Sequence, residues 1–194
     1  MAEKILSEEI RFSVLDKSTW PDFEKLFGER GACGGCWCMW WRLKRSEYNK
    51  QKGFGNKKSM RNLVESGKVP GLMAYLNDEP VGWISVGPRT DYSALERSRI
   101  LKPVDDQPVW SIVCIFIHKK YRGMGLSIRL IEYAVEFARQ NGVRIVEGYP
   151  VEPKNSRIPE VFAYTGLASS FRQAGFKEVA RRSETRPIMR FFLE

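Results

Sequence analysis

The chain has 194 residues, 43% hydrophobic and 28% charged, a globular balance that excludes a disordered or fibrous chain and supplies enough apolar material for one sizeable core. Its net charge of +9 is scattered over pairs such as Lys44-Arg45, Lys57-Lys58, Lys119-Lys120 and Arg181-Arg182, with no nucleic-acid fold signature, so solubility is the plainer reading of the charge. No apolar run approaches the roughly twenty residues of a membrane span, and Met1 to Ile10 is polar and acidic, unlike a signal peptide; a single cytoplasmic domain over 1–194 is expected, without membrane or nucleic-acid partners.

In chain order, Glu9 to Leu15 reads as a strand, with Arg11 and Ser13 alternating against Ile10, Phe12 and Val14. Asp16 or Ser18 can cap a following helix that runs to about Gly28 and buries Trp20, Phe23, Leu26 and Phe27. Gly31 to Arg42 then holds three of the four cysteines, Cys33, Cys36 and Cys38, together with Trp37, Trp40 and Trp41. Three thiolates at this spacing can bind a metal, but Cys114 belongs to a later core strand and His118 to its end, so no fourth ligand lies near and buried reduced thiols are expected instead. A second helix is predicted near Lys57 to Ser66, and Asn77-Asp78 joins strands Gly71 to Leu76 and Pro80 to Val86 as a hairpin. Gly87-Pro88 breaks that strand, and 88–108 reads as a charged connection.

Residues 109–117 are almost all apolar and form a core strand. From Leu126 to Gln140 the apolar positions Leu126, Leu130, Ile131, Ala134, Phe137 and Ala138 recur at helical steps, with Asn141-Gly142 as a stop. Val143 to Tyr149 is the next strand, Lys154 to Gly166 an irregular insert, and Phe176 to Arg181 and Pro187 to Leu193 are the last strands. Antiparallel strands followed by one crossover helix describe a mixed α/β sheet.

Between the central strand and its helix lie Arg122, Gly123, Met124, Gly125, Leu126 and Ser127. Glycines there permit sharp turning and close approach, while the unpaired amides and dipole of the first helical turn favour phosphate and Arg122 adds positive charge. A dinucleotide fingerprint, with Glu147 as the ribose-binding acid, is disfavoured: Ile128 takes the third glycine position, five charged or polar residues separate the loop from the strand, and the motif does not follow the first strand. A Walker loop is excluded because no Gly-Lys-Ser/Thr follows.

The loop resembles the pyrophosphate loop of the GNAT superfamily of acyl-CoA-dependent N-acetyltransferases, Arg or Gln, two residues, Gly, one residue, Gly or Ala, with Ser127 departing at the last position. A second block, Phe171 to Val179, is similar to the late segment that in this family often reads Leu-Tyr-Glu-Lys-Leu-Gly-Phe. The resemblance covers about 70–192 as an acyl-CoA-binding core, with 9–65 as the variable substrate-side region. It implies a mixed, mostly antiparallel sheet with helices on both faces, and direct attack of an amine on the thioester of acetyl-CoA. The acceptor would be a primary amine of a small molecule or a protein, and the enzyme a monomer or homodimer.

By position in that family, Ile115 and Ile117 would offer backbone groups to the acetyl and pantetheine arm, and residues 122–127 would hold the pyrophosphate. The usual general-acid tyrosine is replaced by Phe171, which leaves Tyr164 as the candidate acid, a thiolate that leaves unassisted, or a non-catalytic acyl-CoA or nucleotide-binding regulatory module. Glu147 and Glu152 are the candidate bases, set against the plainer reading of surface or salt-bridged glutamates. Trp37, Trp40 and Trp41, with Tyr149, are candidates for the acceptor pocket, core packing being the alternative for the tryptophans. His118 is the single histidine, so a Ser-His-Asp site is not expected.

Overall fold

A computed structural model describes residues 10–154 and 163–194. Seven strands make one sheet in the order β1-β2-β3-β4-β5-β7-β6: β1 Ile10–Val14, β2 Leu72–Leu76, β3 Glu79–Pro88, β4 Trp110–Ile117, β5 Ile145–Gly148, β6 Lys177–Arg181 and β7 Pro187–Phe192. All neighbours are antiparallel except β4 and β5. Helices α1 (Trp20–Phe27), α2 (Arg45–Lys50), α3 (Phe54–Glu65) and the short α4 (Ser93–Glu96) precede β4, α5 (Leu126–Gln140) joins β4 to β5, and α6 (Ala168–Gln173) precedes β6. The mixed, mostly antiparallel sheet with helices on both faces is therefore as expected. Glu9 and most of the irregular insert lie outside the described residues.

Each sheet face carries its own apolar layer. On one, α1, α2 and α3 lay Phe23, Phe27, Tyr48, Met60 and Val64 with Trp37 over Met73, Tyr75, Trp83 and Val113. Phe23 and Trp83 meet edge-on at 4.9 Å, and Phe27 stacks on Trp37 at 5.8 Å; such pairs contribute about 0.5–1.5 kcal/mol beyond area burial. On the other face, the helical-step apolar residues of α5 pack with Phe171 of α6 on Leu72, Ile84, Ile112, Ile115 and Val146. The β2–β3 turn at Asn77-Asp78 has positive φ at both positions, 49° and 61°, which matches the right-handed twist of a two-residue hairpin.

Three local readings need correction. Thr19 is the N-cap of α1, and the Asp16 carboxylate instead accepts from the Ser18 amide, the Ser18 hydroxyl and the Thr19 amide to form the preceding turn. β3 runs through Gly87 to Pro88, because Pro88 occupies the last paired position, opposite Trp110. The charged connection after it also reaches into the core, because Arg89, Tyr92, Leu95 and Leu101 are buried.

Candidate active site

One extra residue in β4 organises the site. Ser85 pairs with Cys114 while its neighbour Val86 pairs with Ile112, so Val113 is a β-bulge. A strand otherwise alternates its side chains, but Val113 and Cys114 both join the α1-side layer while Ile112 and Ile115 join the α5-side layer. The pairing with β5 ends at the same place, since Trp110, Ser111 and Ile112 are matched to Val146, Glu147 and Gly148 and the ladder goes no further. Past Ile112, β4 and β5 part.

The chain between β5 and α6 returns into that opening. Val151 bridges Leu167, the Val151 amide donates to Gly166 O, and the Ile115 amide donates to Tyr164 O at 2.6 Å. The donor edge of Ile115 is thus already engaged. Ile117, two residues on, presents its amide on the same edge by strand alternation. Phe171 is fully buried with its ring between Gly148 and Gly166; a Cβ on Gly148 would come within 2.2 Å of it. Tyr164 is half-buried at the mouth of the opening, and desolvation raises its phenol pKa, Arg186 and Arg45 acting in the opposite sense.

Directly beyond Ile117 the chain makes a tight turn at Lys119–Tyr121 and enters the glycine loop. Gly123 and Gly125 have φ of 74° and 75°, and a Cβ on either would meet nothing within 4 Å, so glycine answers there to backbone conformation and leaves the approach open. Gly125 is the N-cap of the fifteen-residue α5, and its carbonyl receives the Ile128 and Arg129 amides; the amides preceding them have no helical partner. Arg122 reaches back from the loop, Nε donating to Ile117 O at 3.0 Å, and Ser127 Oγ lies 3.3 Å from Ser170 Oγ of α6. Met124 and Leu126 face an apolar recess with Tyr121 and Val81. A phosphate placed here would meet the first amides of α5, its helix dipole and cationic side chains.

The other candidates separate. Glu147 is 1% exposed, and both of its oxygens are engaged: Oε1 accepts from the Tyr149 hydroxyl at 2.6 Å and Arg89 Nη1 at 3.3 Å, and Oε2 from Arg190 Nε at 2.7 Å. Arg190 also grips Asp105 through both terminal nitrogens, and Ser111 Oγ lies 2.8 Å from the Tyr149 hydroxyl. Tyr149 is accordingly beneath the site rather than on its surface. Glu152 is held by Arg172 and by Arg181, 2.5 Å away, and those hydrogen bonds lower its pKa. Trp37 lies in the core, whereas Trp40 stacks under the Arg45 guanidinium at 3.6 Å and Trp41 lies 6.5 Å from Tyr164 with its buried Nε1 unpartnered among the described residues.

Among the described residues no group of three or more His, Cys, Asp or Glu is arranged to hold a metal, and no helix is long and apolar enough to cross a membrane. The bulge, the buried arginines Arg89 and Arg190, and the return of 163–167 between β4 and β5 were not anticipated; Arg89 and Arg190 carry no spacing signal, because their partners lie on distant elements.

Residues 37–158 match the model of the Acetyltransferase (GNAT) family. No curated protein matches the chain. Among solved structures the fold is similar to the PaiA N-acetyltransferase of Thermoplasma acidophilum in complex with coenzyme A, at 14% identity and TM-score 0.53, covering 95% of this chain and 99% of that one. A GNAT-family acetyltransferase of Listeria monocytogenes aligns at 11% identity and TM-score 0.58 over 96% of each chain. YncA of Salmonella typhimurium, solved with acetyl-CoA, aligns at 13% identity and TM-score 0.53 over 95% of this chain and 94% of that one.

Proposed function

The chain belongs to the GNAT acetyltransferase family, and from that premise we propose that it transfers an acetyl group from acetyl-CoA to a primary amine of a small molecule or protein, by direct attack. The observation that carries this reading is the continuity of one strand: β4 parts from β5 at the Val113 bulge, gives its Ile115 amide to Tyr164 O, runs on to Ile117, and delivers the chain into a phosphate-ready loop at the start of α5. An acyl donor with a long arm and a pyrophosphate at its far end has that shape. Bound acetyl-CoA would supply an activated thioester; the protein's work is to place it and to manage protons.

In this reading Gly123 to Ser127 and Arg122 hold the pyrophosphate, and the Ile117 amide receives the arm, the Ile115 amide being committed to Tyr164 O. Tyr164 stands beside the Ile115 end of the gap, and its raised pKa keeps the phenol protonated at neutral pH, the state an acid needs to protonate a departing thiolate. Trp40 and Trp41, rather than Trp37, flank the acceptor side with Arg45. Glu147 and Glu152 are both committed to arginines, so neither stands as the base that takes the proton of the attacking amine. Four free thiols accord with a reducing, cytoplasmic setting.

Titration calorimetry with acetyl-CoA tests the reading. Binding of about micromolar strength is expected, lost in an Arg122→Ala, Gly125→Glu double variant that removes a charge and fills the loop, followed by release of free CoA thiol with members of an amine panel. Absence of binding by the unmodified protein would overturn it. The buried Phe171 ring, in place of a phenol, supports one second reading, a non-catalytic acyl-CoA-binding module; it predicts binding with no thiol release.

A further inference from the structure

Two arginines stand at the ends of the Trp41–Tyr164 ring pair with no carboxylate to neutralise them. At the Trp41 end, the neighbouring Trp40 carries the Arg45 guanidinium over its ring at 3.6 Å, and Tyr48 meets the same indole edge-on at 5.0 Å. Arg45 is exposed, and its guanidinium makes no hydrogen bond or ion pair among the described residues. Stacking fixes the plane of the fork and leaves its edge of N–H donors available. At the Tyr164 end, Arg186 Nη1 donates to Oγ1 of the fully buried Thr165 at 2.9 Å. That bond holds a half-buried guanidinium next to residue 164, while its Nε and Nη2 have no partner among the described residues. Both charges draw the Tyr164 phenol down against the desolvation that raises it.

The segment that supplies Arg45 concentrates positive charge. Residues 42–68 hold nine lysines and arginines against two glutamates, in a chain whose net charge is +9. Arg42 and Lys68 share Asp91, Lys57 pairs with Glu24 and Arg61 with Glu65. Lys44, Arg45, Lys50, Lys52 and Lys58 are left without a carboxylate partner among the described residues, and all five are exposed on or just before α2 and α3. Like charges gathered on one face repel each other and favour the approach of an anion over that of a cation.

We propose that the acceptor is a primary amine that itself carries a carboxylate, held by the Arg45 and Arg186 guanidiniums at the two ends of the Trp41–Tyr164 ring pair. The proposal rests on the acetyl-transfer reading above. A planar carboxylate matches the two in-plane N–H groups of a guanidinium edge. Phosphate is the poorer match, because these are lone side-chain forks without the helix-start amides that residues 123–127 offer. The transfer leaves the carboxylate untouched: the amine nitrogen bonds to the thioester carbon, the carbon–sulfur bond breaks, and coenzyme A departs as the thiol with the equivalent of the proton the nitrogen loses. The carboxylate belongs either to a free small compound or to an acidic peptide terminus.

The test measures free thiol released from acetyl-CoA with glycine, β-alanine and γ-aminobutyrate, each beside its carboxamide, and with a peptide whose free N-terminus is followed by aspartates beside its asparagine counterpart. Rates are compared on the concentration of neutral amine. At least one carboxylate is expected to exceed its amide by about tenfold in kcat/KM, chiefly through KM, and the small and peptide pairs tell the two sources apart. Arg45→Ala and Arg186→Ala should each bring that ratio toward one, Arg186→Lys should keep most of it, and Arg45→Glu should turn preference toward putrescine. Equal rates within every pair, or preference of the unmodified protein for O-phosphoethanolamine or putrescine over every carboxylate, would overturn the proposal and leave the acetyl-transfer reading in place. Calorimetry with the N-acetylated members of the same pairs, without coenzyme A, reads the site independently of turnover. Carboxylate binding that Arg45→Ala loses, in a protein that releases no thiol, supports the anion site and refutes the transfer. Neither binding nor thiol release refutes the anion site, and acetyl-CoA calorimetry then decides the donor reading by itself.

Discussion

In the proposed reading Tyr164 has two separate jobs: its carbonyl accepts from the Ile115 amide, and its phenol, whose ring lies 6.5 Å from Trp41, serves as the acid. Tyr164→Phe keeps the first and deletes the second. The variant is expected to lose about a hundredfold or more in kcat with little change in KM for acetyl-CoA, and the alkaline limb of its pH–rate profile, set by a phenol that titrates above its ordinary value of 10, should vanish. Unchanged kcat would remove Tyr164 from the chemistry. Glu147 teaches the opposite lesson: a glutamate preceded by apolar residues looks like a tuned base in sequence, but burial of a carboxylate demands compensation, and Arg89 and Arg190 supply it from two other segments, with Tyr149 two residues on. The two arginines lie tens of residues away, which is why their part was not legible.

At the scale of elements, the regular pieces were readable because periodicity is local. Helix α5 and the Asn77-Asp78 hairpin fall where the apolar steps and turn residues put them. The bulge was not readable, because Ile112 to Ile117 is apolar throughout and offers no polar alternation to show which residue is extra. Glycine at 148 was equally silent until its neighbour was seen. Gly148→Ala would drive a Cβ to 2.2 Å from the Phe171 ring, which has no room to move because Gly166 backs it on the other side. A loss of about 1–3 kcal/mol is expected in denaturant unfolding, and a paired Gly148→Ala, Phe171→Leu variant should recover part of it. An undiminished single variant would show that α6 can shift away from the sheet.

For the whole molecule, acidic side chains in ion pairs set the response to pH. Asp105 is held below its ordinary 3.8 chiefly by the Arg190 hydrogen bonds, and Glu152 below 4.5 by Arg172 and then Arg181. A folded value beneath the unfolded one means that each contribution is complete above the ordinary carboxylate pKa and drains away as pH falls through the depressed value. The thermal midpoint should therefore hold steady from neutral pH down to the carboxylate range and fall beneath it. A midpoint indifferent to that range would mean that these exposed pairs are screened to insignificance.

The parallel contact between β4 and β5 spans only Trp110–Val146, Ser111–Glu147 and Ile112–Gly148, yet it joins a meander of β1 to β4 to a smaller unit of β5, β7 and β6. Each of these units is built from antiparallel neighbours, and every ladder within them has at least four matched pairs. In folding terms the two units are natural foldons and the join, with three pairs, is the thinnest ladder in the sheet. Its amides would then exchange with solvent by sub-global opening well before those at the centre of the β2–β3–β4 meander, so the gap proposed to take the acyl donor sits at the seam along which the molecule first comes apart.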